Sequence, residues 1–305
     1  MGKISFVFPG QGAQYSGMGK SLSEVSPAAA AVFAMTDAFR PGTSAQCFEG
    51  SETELKETKI TQPCLWAVEM AAAAALKEAG ICADVCAGFS LGELSALSYA
   101  CVVDVSTFFE LVCQRGALMQ EAAEAVDTSM AAVVKLDNET VEAICARFEG
   151  VYPVNYNCPG QVTVAGLRSS MADFSAAVKE AKGRAIPLKV SGGFHSPFMA
   201  GASEAFGEIL SNVKFQSPVI PLYSNLTGDL YSGDMKELLK KQISAPVRWE
   251  TIIRSMIADG VDTFIEVGPG NVLQSLIAKI DKNVRVFGVS DAESLANTIQ
   301  EVKAC

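Results

Sequence analysis

The feature that most constrains this chain is a Gly-Phe-Ser-Leu-Gly segment at residues 88–92, which has the spacing G-x-S-x-G. An apolar run at residues 85–87 precedes it, and a helical pattern begins with Glu93 and Leu94 just after it. This spacing between a strand and a helix is typical of a nucleophile elbow, a sharp turn that exposes a serine hydroxyl. The segment therefore predicts a strand–turn–helix unit, with Ser90 as the candidate nucleophile.

A candidate base for this serine is easily found, because His195 is the only histidine among the 305 residues. A serine hydroxyl is a poor nucleophile at neutral pH and needs a base that removes its proton. If a histidine does this work, it must be His195. A single histidine also argues against a metal site built from histidines.

The overall composition is that of a globular protein, and it excludes several classes of partner. Apolar residues make up 49% of the chain and charged residues 19%, which argues against a disordered chain. The formal net charge of -10 disfavours binding to nucleic acid, which needs a basic surface. The most apolar stretch, residues 71–75, has Glu69 and Lys77 close on either side, so we expect no membrane span.

The cysteine content indicates where the protein works. Nine cysteines occur without a C-x-x-C pair, which argues against a zinc site and a disulfide framework and favours a reducing compartment. The N-terminal residues lack the basic segment and apolar stretch of a signal peptide. We therefore expect a cytoplasmic protein.

Hydrophobic patterns predict alternating strands and helices along the chain. A first strand leads into the loop Pro-Gly-Gln-Gly at residues 9–12, whose glycines do not match a nucleotide-binding motif. Thr61 is the expected N-cap of a long apolar helix. The predicted strands lie at 4–8, 130–136, 152–157, 161–166, 185–190, 220–224 and 263–267, and the predicted helices at 61–79, 106–125, 139–148, 169–182, 198–212, 249–259 and from 271 onward.

The order of these elements predicts two subdomains. Residues 127–193 have the order β-α-β-β-α-β, which is typical of a ferredoxin-like unit. The segments on either side predict a mostly parallel sheet covered by helices. We therefore expect an α/β fold. In it, residues 1–126 and 194–305 form a large α/β-hydrolase-like catalytic subdomain, into which the small ferredoxin-like subdomain is inserted.

Eight short motifs in a fixed order link the chain to a known family. They lie at residues 9–12, 61–63, 88–93, 114–119, 155–161, 194–196, 244–249 and 266–270. In these motifs the chain resembles the malonyl-CoA:acyl carrier protein transacylases and the related acyltransferase domains of polyketide synthases, over essentially its full length. One position departs from the family pattern, because a histidine usually precedes the nucleophilic serine and this chain has Phe89.

The resemblance assigns roles in catalysis. Ser90 would attack the thioester carbonyl of malonyl-CoA and carry the malonyl group as an ester, with His195 as general base and acid. A main-chain carbonyl would orient the histidine, and by motif position it would be that of Arg248. The oxyanion would be bound by the N–H of Leu91, which is the usual donor of an elbow, and by the loop backbone at Gln11.

The resemblance also implies which residues recognise the acyl group. Arg115 would bind the free malonyl carboxylate, since a guanidinium can donate two parallel hydrogen bonds to it. Phe194 would crowd a methyl branch next to that carboxylate. Gln62, Met119 and Asn157 are further candidates for lining the site.

We therefore expect a ping-pong acyltransferase with malonyl-CoA and acyl carrier protein as its partners, for fatty acid or polyketide synthesis. It would be a monomer, without a metal or other cofactor, and would bind neither nucleic acid nor membrane. Two alternatives stay open. A serine esterase or thioesterase also fits G-x-S-x-G, and Phe89 is the one feature that favours a non-catalytic homologue that only docks carrier protein.

Overall fold

Parallel and antiparallel strands occupy separate sheets in this mixed α/β protein. The computed structural model describes residues 2–190 and 192–303. The strands are β1 (Lys3–Phe8), β2 (Val85–Gly88), β3 (Thr128–Val134), β4 (Val151–Cys158), β5 (Gln161–Leu167), β6 (Arg184–Pro187), β7 (Val261–Val267) and β8 (Arg285–Val289). The helices are α1 (Lys20–Val25), α2 (Pro27–Phe39), α3 (Thr43–Glu49), α4 (Thr58–Glu78), α5 (Gly92–Tyr99), α6 (Val105–Ala125), α7 (Asn138–Cys145), α8 (Met171–Glu180), α9 (Ala200–Ser211), α10 (Met235–Gln242), α11 (Trp249–Ala258), α12 (Val272–Ile280) and α13 (Ala292–Lys303).

The first sheet is parallel, with the strand order β2-β1-β7-β8. Strand β1 buries Phe6, Val7 and Phe8 completely, as expected where helices cover both faces of a parallel sheet. Because the strands are parallel, their carboxyl ends meet at one edge of the sheet. The loops that follow Phe8, Gly88 and Val267 therefore lie together, at the edge where open α/β sheets bind their ligands.

The second sheet is antiparallel, with the strand order β4-β5-β3-β6. Helices α7 and α8 connect its strands, and residues such as Val133, Val162 and Phe174 form a core of its own. Strand β4 also contacts the rest of the molecule, since the Tyr156 N–H donates to the carbonyl of Val247 at 2.9 Å. This contact places the antiparallel sheet beside the segment that precedes α11.

Helix α4 is buried along nearly its whole length, and it begins earlier than the sequence predicts. The predicted N-cap, Thr61, is wrong, because the helix starts at Thr58 and includes Pro63. The side-chain oxygen of Gln120 accepts a hydrogen bond from the Thr58 N–H at 2.7 Å, and the Thr61 hydroxyl donates to the Glu57 carbonyl at 2.9 Å. A residue of α6 thus satisfies the first turn, which no local pattern indicates.

The predicted strand at residues 220–224 is also wrong. This segment makes only an isolated bridge to β2, between Leu222 and Cys86, and a second one to Leu230. Pro218 and Pro221 have no N–H to donate, so a continuous ladder cannot form here. The segment runs beside β2 as irregular chain and leads directly into the residues around the elbow.

Most other predicted elements occur within a few residues of their expected bounds, but the prediction lacks helices α1, α2, α3, α10 and α13 and strand β8. Helix α10 is strongly polar, and β8 lies at a sheet edge where its residues are mostly half-buried. Within the two described ranges, no helix has both the length and the apolar character needed to cross a membrane.

Candidate active site

The Gly-Phe-Ser-Leu-Gly segment forms a sharp turn between β2 and α5, and Ser90 adopts a left-handed conformation with φ of 56°. A Cβ atom on Gly88 would lie 1.8 Å from the Gly92 carbonyl oxygen, and one on Gly92 would lie 2.0 Å from that of Phe8. Neither approach is physically possible. The two glycines are therefore required for the close packing that presents Ser90.

His195 lies against this serine. Its Nε2 is 2.6 Å from the Ser90 Oγ, and its Nδ1 is 2.9 Å from the carbonyl oxygen of Gln242. A carbonyl can only accept, so Nδ1 carries the proton and Nε2 is free to accept the serine proton. Burial, followed by the nearby Arg115 cation, lowers the pKa of His195 to about 4. The imidazole is therefore neutral at neutral pH, as a base must be.

The carbonyl that orients His195 is that of Gln242, and the expectation of Arg248 is wrong. The Arg248 carbonyl accepts from the N–H of Ile252 in helix α11, and its side chain donates to the carbonyl of Leu226. Gln242 is the last residue of α10, where carbonyls have no partner within the helix. The amphipathic stretch after Asp234 was the available signal for this helix.

Arg115 is fully buried beside these groups. One terminal nitrogen donates to the Gln62 Oε1 at 2.9 Å, and the other donates to the Gln242 Oε1 at 2.9 Å. Burial lowers the pKa of Arg115 to about 10, partly opposed by the Glu93 carboxylate. None of the ion pairs formed within residues 2–190 and 192–303 includes Arg115. A buried cation with only neutral hydrogen-bond partners is suited to an anionic ligand.

Three further predicted residues are buried in this part of the molecule. The Gln62 side-chain amide approaches the Met119 sulfur at 3.4 Å, so its oxygen is left facing Arg115. Phe194 is 7% exposed and belongs to the same apolar core as Met119. Gln62 thus contacts both Arg115 and Met119, and Phe194 is buried directly before His195 in the chain.

The loop after β1 packs directly on the elbow. A Cβ atom on Gly10 would lie 2.6 Å from the carbonyl oxygen of Phe89, so the two backbones are in contact. Gln11 follows in this loop, and its side chain donates to the Thr58 hydroxyl at 3.3 Å. Leu91 is fully buried at the start of α5, where N–H groups have no partner within the helix. Gln11 and Leu91 therefore lie on the two segments that meet at Ser90.

Phe89 occupies the position where the family pattern has histidine. Its ring packs edge-to-face on Trp249, with 5.5 Å between the ring centroids. It is only partly buried and lines a cavity next to the elbow. Phe89 thus has a packing role that does not involve the Ser90–His195 contact.

This cavity has a volume of about 720 Å³ and runs outward from Gly10 and Phe89 between the two sheets. Asn157 lines it, with its amide nitrogen donating to the Thr163 hydroxyl at 3.0 Å. The amide oxygen of Asn157 is buried, and no residue of the described ranges donates to it. Asn157 therefore lines the cavity with a side chain whose acceptor oxygen is not used by the described residues.

Comparison with known proteins agrees with this arrangement. A family model described as an acyl transferase domain matches residues 5–304. A Bacillus subtilis protein named malonyl CoA-acyl carrier protein transacylase is 40% identical, and the match covers 99% of this chain and 98% of that protein.

Solved structures give the same result. A malonyl CoA-acyl carrier protein transacylase from Clostridium perfringens is 35% identical with a TM-score of 0.96, covering 99% of this chain and 98% of that one. A malonyl-transacylase in complex with its type II PKS acyl-carrier protein is 33% identical with a TM-score of 0.94, covering 98% of this chain and 99% of that one. With a family model and relatives matched over almost its whole length, the chain belongs to the acyl transferase family.

Proposed function

We propose that this protein transfers a malonyl group from malonyl-CoA to the phosphopantetheine thiol of acyl carrier protein, through a malonyl ester on Ser90. The observation that carries the proposal is the contact between Ser90 and a neutral His195, beside a buried Arg115 that has only neutral hydrogen-bond partners among the described residues. The named relatives act as malonyl CoA-acyl carrier protein transacylases, and one was solved with its acyl-carrier protein.

The reaction follows from the geometry of the pair. His195 Nε2 takes the hydroxyl proton of Ser90 while Oγ forms a bond to the thioester carbonyl carbon. The N–H groups of Leu91 and Gln11 stabilise the oxyanion. The carbon–sulfur bond then breaks, and His195 returns the proton to the departing thiolate. The second thiol repeats these steps in reverse and takes the malonyl group from Ser90.

Selection of the acyl group rests on two residues. Arg115 is held by Gln62 and Gln242 in one orientation, which suits bidentate binding of the malonyl carboxylate. Phe194 is buried next to the base and would exclude a methyl branch, which is worth about 1–3 kcal/mol in a fitted pocket. Asn157 would accept a hydrogen bond from the arm of the incoming thioester.

Replacement of Arg115 by alanine should shift acyl selectivity away from malonyl. A charge-assisted hydrogen bond contributes about 1.5–3 kcal/mol, so the ratio of kcat/KM for malonyl-CoA to that for acetyl-CoA should fall roughly ten- to a hundredfold. The ratio is measured within one variant, so partial unfolding does not affect it. Arg115→Lys is the matched control, because it keeps the charge without the planar fork. An unchanged ratio in Arg115→Ala would exclude this role.

Neither alternative function is favoured. Esterases usually orient the histidine with a carboxylate, whereas here a main-chain carbonyl does so. A homologue that only docks carrier protein would not need the Ser90–His195 contact to be intact.

The finer description of the fold belongs to the same proposal. The parallel sheet with its elbow supports an α/β-hydrolase-like subdomain formed by residues 1–126 and 194–305. The strand order β4-β5-β3-β6 with α7 and α8 supports a ferredoxin-like subdomain at residues 127–193. The monomeric state, the absence of a cofactor and the cytoplasmic location stay predictions.

Intact-protein mass spectrometry tests the proposed function. The wild-type protein should gain the mass of one malonyl group from malonyl-CoA and lose it when holo acyl carrier protein is added. Acetyl-CoA and methylmalonyl-CoA should load much more slowly. Rapid loss of the malonyl mass in buffer without a thiol acceptor would favour the esterase instead.

A further inference from the structure

A residue far from the elbow in sequence holds both sides of it. Asn225 is completely buried, and its Oδ1 accepts a hydrogen bond from the backbone N–H of Ser90 at 2.7 Å. Its Nδ2 donates to the carbonyl of Gly88 at 2.6 Å. One side chain therefore spans the turn, from the residue that ends β2 to the nucleophile itself.

Asn225 is in turn fixed by Glu93, in the first turn of α5. The Oε1 of Glu93 accepts from the backbone N–H of Asn225 at 3.0 Å and from the Tyr231 hydroxyl at 2.6 Å. Burial raises the pKa of Glu93 to about 7, while these hydrogen bonds lower it. Burying a carboxyl group completely costs free energy, so the burial of Glu93 indicates that these two contacts have a structural role.

The conformation of Ser90 indicates what this structural role is. A non-glycine residue with φ of 56° lies in the left-handed region and is held there only by its surroundings. The hydrogen bonds of Asn225 to Ser90 and Gly88 oppose relaxation of the turn. Neither Asn225 nor Glu93 is hydrogen-bonded to His195. Glu93 also interacts with Gln242 and Arg115, whereas the side chain of Asn225 contacts only the elbow residues Ser90 and Gly88 among the residues of the site. The effect of Asn225 on the reaction therefore passes through the elbow.

We propose that Asn225 and Glu93 are positioning residues for acyl transfer: Glu93 fixes Asn225, and Asn225 holds Ser90 in the strained conformation that points its hydroxyl at His195. This inference rests on the proposed function of Ser90. Asn225 acts on the rate of attack, and binding of the malonyl carboxylate is the role of Arg115.

The test compares Asn225→Ala, Glu93→Ala and the double variant by rapid-quench measurement of Ser90 malonylation. At saturating malonyl-CoA, Asn225→Ala should lower the rate about a hundredfold, the effect of a misplacement on the order of 1 Å, with KM changed by less than about threefold. Because Glu93 acts through Asn225, the double variant should be no slower than Asn225→Ala alone. Glu93→Gln keeps an acceptor oxygen and should restore most of the rate lost in Glu93→Ala.

Ser95→Ala is the matched control for stability. Ser95 lies in the same helix as Glu93 and is equally buried, but its hydroxyl donates to Glu69 of helix α4 and makes no hydrogen bond to Ser90, Asn225 or His195. It should lower the melting temperature and leave the loading rate per folded molecule unchanged. If Asn225→Ala folds too poorly, Asn225→Asp replaces it in the test. This variant keeps the acceptor oxygen for the Ser90 N–H but places a carboxylate against the Gly88 carbonyl. It should therefore load malonyl at least about tenfold more slowly than the wild type.

Wild-type loading rates in folded Asn225→Ala or Asn225→Asp would overturn the inference, as would additive effects in the double variant. A wild-type protein that takes up no malonyl group would instead overturn the proposed function. The two failures are therefore distinguishable in one assay.

Discussion

Replacing Ser90 with alanine is expected to abolish covalent loading from malonyl-CoA. The hydroxyl of Ser90 is 2.6 Å from the only histidine of the chain, and Ser90 is the only residue of the elbow segment 88–92 that carries a hydroxyl group. Without the oxygen no ester can form. The gain of malonyl mass should disappear on the time scale of wild-type turnover, and in the wild type the mass should map to the peptide that contains Ser90.

Ser98→Ala is a suitable control for this result. Ser98 is buried in helix α5, which follows the elbow, and its hydroxyl has no hydrogen-bond partner among the described residues. It should load malonyl at the wild-type rate. A Ser90→Ala protein that still gained the malonyl mass as fast as wild type would remove Ser90 from the reaction.

His195→Ala should lower malonyl transfer by at least about a hundredfold, the usual effect of losing a positioned acid and base. No second histidine is present to replace it. The rate should be measured under single-turnover conditions, together with circular dichroism to show that the variant is folded. Transfer close to the wild-type rate at pH 7 would exclude His195 as the base.

The pH dependence of the wild type gives an independent check of this residue. Because burial and Arg115 lower the pKa of His195 to about 4, the imidazole stays neutral as the pH falls through the usual histidine range. The acylation rate should therefore fall only below about pH 5. The unfolded chain binds the proton with an ordinary pKa of about 6.5, so the same group makes the fold less stable as the pH falls between these two values. A rate that halves near pH 6.5 would contradict the buried, neutral histidine.

The local parts of the site could be predicted from the sequence, and the long-range parts could not. The elbow follows from the spacing of Gly88, Ser90 and Gly92, because all three constraints act within five residues. Arg115 follows from a motif on a regular helix. The carbonyl of Gln242 that orients His195 could not be predicted in this way. Every residue has a carbonyl, so the type of residue does not indicate which carbonyl contacts the histidine.

Helix α4 and residues 220–224 depart from the prediction for different reasons. The start of α4 depends on Gln120, which is distant in sequence from Thr58. Residues 220–224 have the apolar pattern of a strand, but Pro218 and Pro221 remove donors that a ladder requires. In the sequence Asn225 resembles an ordinary loop residue, because its proposed role comes from contacts with segments more than a hundred residues away.

The neutral partner of His195 has a consequence for the lifetime of the acyl-enzyme. A carbonyl stabilises an imidazolium less than a carboxylate would, and the Arg115 cation opposes it further. Water, which is very weakly acidic, needs a strong base to become a nucleophile, whereas a thiol ionises far more readily and needs less help. On the proposed mechanism, we therefore expect the malonyl ester on Ser90 to react slowly with water and faster with a thiol. Such an enzyme keeps an activated acyl group between binding of malonyl-CoA and binding of the thiol acceptor, and loses little of it to hydrolysis.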